Sequence, residues 1–173
     1  MISLLVAYTK NKRVIGAQGK IPWKLSSERN RFKQICAGKY VIMGRKSYEE
    51  IGKPLPYCKL VVISRGPSRA SGTPVYCKSL EDAINYCKSQ NQEEILIAGG
   101  GTIYEQTLPY ANKIYATEID ADFDGDTFFP ELGPEWVDTV EETHEENRIG
   151  YKYITFTKNG PSTGSGTAGN TLQ

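Results

Sequence analysis

Short, nearly unbroken apolar segments constrain the fold of this chain most strongly. They span residues 2–8, 40–43, 60–64 and 95–98. A strand that is apolar on both faces must be covered on both sides, as in parallel sheets with helices above and below. Residues 25–36 and 80–87 lie between such strands and carry apolar side chains at helical spacings of three and four. The alternation predicts an α/β domain with a mostly parallel central sheet and helices on both faces.

The C-terminal part of the chain has a different pattern. Residues 114–119, 137–141 and 151–157 resemble strands, but no convincing helix separates them. We therefore expect the last part of the sheet to be antiparallel. Residues 160–173 contain no charge and almost no large apolar side chain, so they cannot offset the entropy of ordering. The sequence thus predicts one domain over residues 1–159 and a flexible tail over residues 160–173.

Several functional classes are disfavoured by composition. The four cysteines, Cys36, Cys58, Cys77 and Cys87, form no C-x-x-C pair, and His144 is the only histidine, so we expect reduced thiols, no metal and no Ser/His/Asp triad. A net charge of +1 argues against a broad nucleic-acid surface. The apolar runs are far shorter than the ~18 residues of a membrane span. The N-terminus lacks a signal-peptide pattern, and we expect a cytoplasmic protein.

Three predicted strand ends carry groups that suit phosphates. The glycine turn in residues 97–104 lets backbone N–H groups approach a pyrophosphate. Residues 41–47 and 61–66 place cations and hydroxyls at the same sheet edge, namely Arg45, Lys46, Ser64 and Arg65. This favours a dinucleotide with a 2′-phosphate, NADP rather than NAD. The alternative is a simple tight turn with solvated arginines, since Tyr104 occupies the last glycine of the G-x-G-x-x-G pattern.

A carboxylate lies on the apolar face of the first predicted helix, which begins near Ser26 or Ser27. Glu28 shares that face with Leu25 and Phe32. Its apolar surroundings, with Trp23, suit recognition of an N–H/NH2 pair on a heterocycle; the alternative is an ordinary first-turn acid that complements the helix dipole. Residues 16–23, with two glycines and Pro-Trp, predict a mobile lid, or else an ordinary long connection.

Taken together, these motifs resemble the dihydrofolate reductase family over nearly all of residues 1–158. The resemblance rests on MISLLVA (1–7), VIG (14–16), IPWKL (21–25), FK (32–33), VIMGRKSYE (41–49), IGKPLP (51–56), IAGGGTIYEQ (97–106) and DGDTFFP (124–130). It implies hydride transfer from NADPH to C6 of 7,8-dihydrofolate and protonation at N5, which gives tetrahydrofolate. It also implies a small-molecule substrate, dihydrofolate. We further expect a monomer with no nucleic-acid or membrane partner.

The resemblance also implies roles for individual residues. Glu28 would bind N3 and the 2-amino group of the pterin and promote protonation, with Thr117 as hydrogen-bonding support and Trp23 in the lid with Ile21. The other substrate-binding residues would be Leu5, Val6, Ala7, Arg29, Phe32, Ile51, Leu55, Ala98 and Tyr104. The NADPH-binding residues would be Ala7, Ile15, Gly16, Gly44, Arg45, Lys46, Ser47, Ser64, Arg65, Gly99, Gly100, Gly101, Thr102, Ile103 and Tyr104.

Three positions depart from the family pattern. Cys58 occupies the place of an arginine that grips the α-carboxylate of the substrate's glutamate, Arg29 replaces a common apolar residue, and Ala98 replaces a common isoleucine. We therefore expect weakened dihydrofolate binding. Two rival functions stay open: a reductase of another heterocycle, such as the pyrimidine reductases of riboflavin synthesis, and a nucleotide-binding homologue with weakened catalysis.

Overall fold

The computed structural model describes residues 1–53, 55–66 and 74–158, within which ten strands and four α-helices are assigned. The strands, β1 to β10, span Ile2–Thr9, Val14–Gly16, Tyr40–Gly44, Lys59–Ile63, Val75–Cys77, Ile95–Ile97, Lys113–Asp120, Thr127–Phe128, Trp136–Glu146 and Ile149–Lys158. The helices, α1 to α4, span Ser26–Cys36, Arg45–Ile51, Leu80–Ser89 and Gly101–Thr107. The expected tail, residues 160–173, lies outside the described residues.

Eight strands form one sheet in the order β5-β4-β3-β6-β1-β7-β10-β9, and β2 pairs with β8 separately. The first six strands of that order are parallel, whereas β10 is antiparallel to both β7 and β9. This confirms the mostly parallel sheet with an antiparallel C-terminal part. The strand predicted at residues 114–119 is β7, which belongs to both regions of the sheet. The crossover through α4 makes β7 parallel to β1, and β10 pairs with the other edge of β7 in the antiparallel direction.

Both faces of the sheet are buried, as the unbroken apolar strands predict. On β1, Leu4 packs into the cluster that contains Ala83 and Cys87 of α3. Its neighbour Leu5 points to the opposite face and packs with Cys36 of α1. Successive side chains of a strand point to opposite faces, so each central strand contributes to two cores at once.

The elements that the sequence patterns did not single out are short. They are β2, β5 and β8, with three, three and two residues, and the seven-residue α2. Segments of this length carry too few residues to establish a period. In the described part of the chain no helix is long and apolar enough to span a membrane.

At the end of the sheet where the parallel strands begin, a polar network joins β1 and β7 with the residues that immediately precede β3 and β6. The Glu94 carboxylate accepts hydrogen bonds from the Lys39 ammonium at 2.5 Å, the Ser3 hydroxyl at 2.6 Å and the Tyr115 hydroxyl at 2.8 Å. Burial opposes ionisation of Glu94, but the hydrogen bonds from Lys39, Ser3 and Tyr115 outweigh it and lower the pKa of this carboxyl group.

We expect Glu94→Gln to destabilise the fold by about 1–3 kcal/mol at pH 7, because three donors lose a charged acceptor. A carboxyl group whose pKa is lowered by folding stabilises the protein above its unfolded-state pKa, and this stabilisation is lost as the pH falls through the folded-state value. The difference between variant and wild type should therefore shrink toward pH 3. Urea unfolding at both pH values measures it, with exposed Glu93→Gln as the matched control. An equal loss at both pH values would contradict this account.

Candidate active site

Glu28 lies in the first turn of α1, and its N–H donates a hydrogen bond to the carbonyl oxygen of buried Leu25 at 3.2 Å. Its Oε2 atom is buried and has no hydrogen-bond partner among the residues that the structure describes. Burial raises the pKa of Glu28 to about 7, although a hydrogen bond from Thr117 and the charge of Arg31 act in the opposite direction. A carboxyl group with this pKa exchanges a proton near neutral pH, which suits a general acid or base.

Thr117 and Arg31 approach Glu28 from different elements. Thr117 is buried in β7 and pairs with Ala7 of β1, so the register of two parallel strands places its hydroxyl beside α1. Arg31 lies one helical turn after Glu28, and its guanidinium carbon is 4.0 Å from the centre of the Tyr153 ring. No sequence motif singles out Arg31 or Tyr153. The spacing of three residues between Glu28 and Arg31 is the one signal that could have found Arg31.

Five of the predicted substrate-binding residues gather in one apolar cluster on the α1 side of the sheet. They are Leu5, Phe32, Ile51, Leu55 and Ala98. Ala7 lies on the same face of β1 and packs with Trp23 and Leu25. Val6 does not join them: its side chain points to the other face and packs in the cluster of Tyr104. Arg29 is exposed on α1.

Tyr104 is buried in α4 and reaches the centre of the sheet. Its hydroxyl donates a hydrogen bond to the Leu5 carbonyl oxygen at 2.7 Å, and its ring packs edge-on against Phe129 with centroids 5.3 Å apart. Burial raises the pKa of Tyr104 well above its usual value, so it stays a neutral donor. This bond places the aromatic ring between β1 and the glycine turn.

The glycine turn, residues 99–101, is packed too closely for side chains. Gly99 has a φ of +120°, and a Cβ atom on Gly101 would lie 2.8 Å from Cγ2 of Thr127. The N–H of Gly44 donates to the carbonyl oxygen of Gly99 at 2.9 Å, and Ser47 lies against the same turn. Positions 99 and 101 therefore suit glycine, the first for its backbone conformation and the second for lack of space, and the backbone N–H groups between β6 and α4 carry no side chains that would cover them. Beside it, Ile15 and Ile103 are partly buried, Gly16 lies near Thr127, and Thr102 is exposed.

The predicted cations follow two adjacent strands. Gly44, the last residue of β3, pairs with Ile63, the last residue of β4. Arg45 and Ser64, which follow them, therefore lie at the same edge of the sheet. Arg45, Lys46 and Arg65 are exposed, and Ser64 is partly exposed. Among these four side chains the Arg45 guanidinium pairs with the exposed Glu49 carboxylate at 3.4 Å. Such a pair contributes only about 0.3–0.5 kcal/mol, so a phosphate can readily replace it.

The segment proposed as a lid, residues 16–23, is held by acidic side chains. The N–H of Ile21 donates to the Glu50 carboxylate at 2.5 Å, and the N–H of Gln18 donates to Asp126 at 2.9 Å. Ile21 itself is 53% exposed, whereas Trp23 is 6% exposed. The segment thus has an anchored end at Trp23 and an exposed centre; its mobility stays a prediction.

Cys58 is 7% exposed and packs in the same cluster as Leu55. Burial raises the pKa of its thiol to about 11, so the side chain carries no charge at neutral pH. Of the nearby lysines, Lys33 of α1 lies with its ammonium 5.8 Å from the centre of the Tyr57 ring. Lys59 instead lies over Tyr40, where β3 begins, at the end of the sheet away from Glu28.

The structure offers no metal site in the described ranges, where no group of three metal-ligating side chains occurs, and all four cysteines carry free thiols. The structure instead places a buried carboxylate, Glu28, in apolar surroundings. The glycine turn and the exposed cations follow the carboxyl ends of neighbouring strands of the same sheet. This arrangement can hold a neutral heterocycle with N–H donors beside a phosphorylated dinucleotide.

Comparison with known proteins agrees with this geometry. A sequence model described as dihydrofolate reductase matches residues 1–158. The dihydrofolate reductase of Haemophilus influenzae is 40% identical over 160 residues, covering 90% of this chain and 98% of that protein. The dihydrofolate reductase of Bacillus subtilis is 35% identical over 170 residues, covering 96% and 99%. That of Buchnera aphidicola is 42% identical over 156 residues, covering 88% and 94%.

Proposed function

The chain belongs to the dihydrofolate reductase family, and from this premise we propose that Glu28 and the apolar cluster around it bind the pterin ring of dihydrofolate. The reaction is the NADPH-dependent reduction of dihydrofolate to tetrahydrofolate, and the chain is an oxidoreductase. The roles of individual residues go beyond the family relationship and rest on the contacts of the site.

The observation that carries the substrate proposal is the buried Oε2 atom of Glu28, which has no partner in the described part of the chain. A buried acceptor without a donor costs about 1–3 kcal/mol. The N3–H and 2-amino groups of a pterin offer two donors in one plane, which a carboxylate can accept in parallel. Thr117 then holds the carboxylate from the protein side. A ligand with this donor pair therefore removes the cost.

The same carboxyl group can manage the proton of the reaction. With a pKa of about 7, Glu28 is ionised in part of the molecules and protonated in the rest at neutral pH. It can therefore bind the pterin donors as an anion and promote protonation of N5, through water, as an acid. Burial keeps bulk water from the carboxylate, which preserves the raised pKa of Glu28.

The residues at the strand ends fit NADPH. The three consecutive glycines leave their backbone N–H groups uncovered by side chains, and the pyrophosphate would lie against Gly99 to Thr102 with Ser47. Arg45, Lys46, Ser64 and Arg65 would hold the 2′-phosphate. Ala7, Ile15, Gly16 and Tyr104 would line the nicotinamide side. When bound, NADPH supplies the hydride for C6 of the substrate.

The first experiment is loss of NADPH absorbance on addition of dihydrofolate to the purified protein. Turnover is expected, and its absence in a folded protein that still binds NADPH would favour the non-catalytic homologue. We also propose that the enzyme is cytoplasmic, since its four buried thiols suit a reducing compartment, and that it acts as a monomer. Gel filtration measures the oligomeric state and tests the second proposal.

The neutral side chain at position 58 predicts weak binding of the substrate's glutamate. We expect Cys58→Arg to lower KM for dihydrofolate about tenfold or more with little change in kcat, because a charged hydrogen bond contributes ~1.5–3 kcal/mol and the glutamate lies far from C6. The new side chain must extend out of the cluster past Tyr57. Steady-state kinetics measures both constants.

Cys58→Ala is the matched control, since it removes the thiol without adding a charge. It should leave KM unchanged. Lys33→Ala tests the lysine beside Tyr57 as a partial substitute and should raise KM modestly. If KM is already low and Cys58→Arg leaves it unchanged, another residue carries the glutamate and the interpretation of this position is wrong.

A further inference from the structure

The N-terminus of α1 is capped by a carboxylate from the far end of the chain. The residue before the helix, Leu25, provides no side-chain cap. Instead Oε2 of Glu146 accepts hydrogen bonds from the N–H and the hydroxyl of Ser26, both at 2.8 Å. Oε1 of Glu146 accepts from the N–H of Ser27 at 3.2 Å and from its hydroxyl at 2.6 Å. Four donors on two consecutive residues thus meet one carboxylate.

Glu146 is itself well placed to stay fixed. It is the last residue of β9 and pairs with Ile149 across the turn Asn147–Arg148, whose residues have φ values of 53° and 65°. Two successive left-handed residues form the tight hairpin turn that matches strand twist. The bonds from Ser27 and then Ser26 lower the pKa of Glu146 to about 2, so the cap is ionised at any pH at which the enzyme works.

A second contact joins the same hairpin to α1. Tyr153 of β10 packs beneath the Arg31 guanidinium, and the Tyr151 hydroxyl hydrogen-bonds to Ser27. Glu28 follows Ser27 directly, so its backbone is held on the N-terminal side by Glu146 and one turn later by Tyr153. The β9–β10 hairpin therefore contacts α1 on both sides of the pterin-binding carboxylate.

We propose that Glu146 is a positioning residue for dihydrofolate reduction: its cap on Ser26 and Ser27 holds the first turn of α1 so that the Glu28 carboxylate stays in place and shielded from water. This rests on the proposed role of Glu28. Misplacement of a reacting group by about 1 Å can cost about 10²-fold in rate, so a remote cap can matter for catalysis as well as for stability. The negative charge of Glu146 at the N-terminus of α1 also interacts favourably with the helix dipole.

Loss of the cap has a predictable effect on the titration of Glu28. The groups that face Glu28 are Arg31 on α1, Thr117 on β7, Tyr104 on α4 and Tyr153 on β10. Burial is the main reason that its pKa is high. Water entering a loosened first turn reduces this burial and so lowers the pKa of Glu28.

The test compares Glu146→Ala and Glu146→Gln with the exposed neighbour variant Glu145→Ala. All are assayed at a temperature at which thermal unfolding shows them folded. For Glu146→Ala we expect kcat to fall about tenfold to 10²-fold, KM for NADPH to stay unchanged, and the pH–rate profile of kcat to shift to lower pH. Glu146→Gln keeps one acceptor oxygen and should be intermediate, and it serves if the alanine variant does not fold. Glu145→Ala should match wild type.

A folded Glu146→Ala or Glu146→Gln enzyme with wild-type kcat and pH profile, and only a lower melting temperature, would overturn the proposal and leave the cap purely structural. That result, with Glu28→Gln inactive, would leave the role of Glu28 intact. If Glu28→Gln is itself fully active, the proposed function fails first.

Discussion

Glu28→Gln should lower kcat/KM for dihydrofolate by about 10²–10⁴-fold at neutral pH, the range that general acid–base catalysis contributes. Glutamine keeps the size of the side chain and one acceptor oxygen, but it cannot be ionised and cannot deliver a proton. The loss should appear mainly in kcat, with a smaller increase in KM from the weakened pairing with the pterin donors. Steady-state kinetics with NADPH in excess measures both constants.

Glu28→Gln should also be more stable than wild type at neutral and alkaline pH. Folding raises the pKa of Glu28 to about 7, so the stabilising contribution of this group is fully present below its unfolded-state value near 4.5 and is lost as the pH rises through 7. Glu28→Gln avoids that loss. We expect it to melt above wild type at pH 8 and close to wild type at pH 4. An inactive variant that is less stable at pH 8 would point to general damage instead, and near-normal kcat/KM would remove the assignment.

Replacing Arg45 and Arg65 together by alanine should raise KM for NADPH about 100-fold or more, because each charged hydrogen bond to a phosphate contributes ~1.5–3 kcal/mol and 1.4 kcal/mol is a factor of ten. KM for NADH should change about threefold at most, since that cofactor lacks the 2′-phosphate. Both side chains are exposed, so their removal leaves the core intact. Parallel kinetics with the two cofactors measures the ratio.

The matched control is Lys88→Ala, an exposed cation in the last turn of α3. It changes the net charge without touching the predicted cofactor edge and should leave both KM values unchanged. An equal increase for NADPH and NADH in the double arginine variant would show that Arg45 and Arg65 do not read the 2′-phosphate. The effect should also weaken at high ionic strength, as expected for exposed charges.

Local pattern alone predicted much of this fold. The central strands are apolar on both faces, and α1 and α3 have apolar side chains at helical spacing, so their identity follows from a period that a short window contains. The position of Glu28 on the apolar face of α1 is visible in the same way. So is the convergence of Arg45 and Ser64, since parallel strands bring their carboxyl ends to one edge.

The pairing of the strands could be predicted only in part from the sequence. Residues 113–120 have strand character in any arrangement, but their parallel pairing with β1 depends on the crossover through α4 and on the space left beside β1. The opposite directions of Val6 and Leu5 also matter: a set of consecutive β1 residues cannot all line one pocket.

What the sequence by itself determined is the type of each long element and which face of it is apolar, because these depend on side chains a few residues apart. Only the tertiary structure decided which polar groups meet. Glu146 reaches Ser26 across 120 positions, and Tyr153 meets Arg31. Neither contact has a local period. Each contact exists because the β9–β10 hairpin and α1 are neighbours in the folded chain. The raised pKa of Glu28 is likewise a tertiary property, because burial in the folded chain is its main cause.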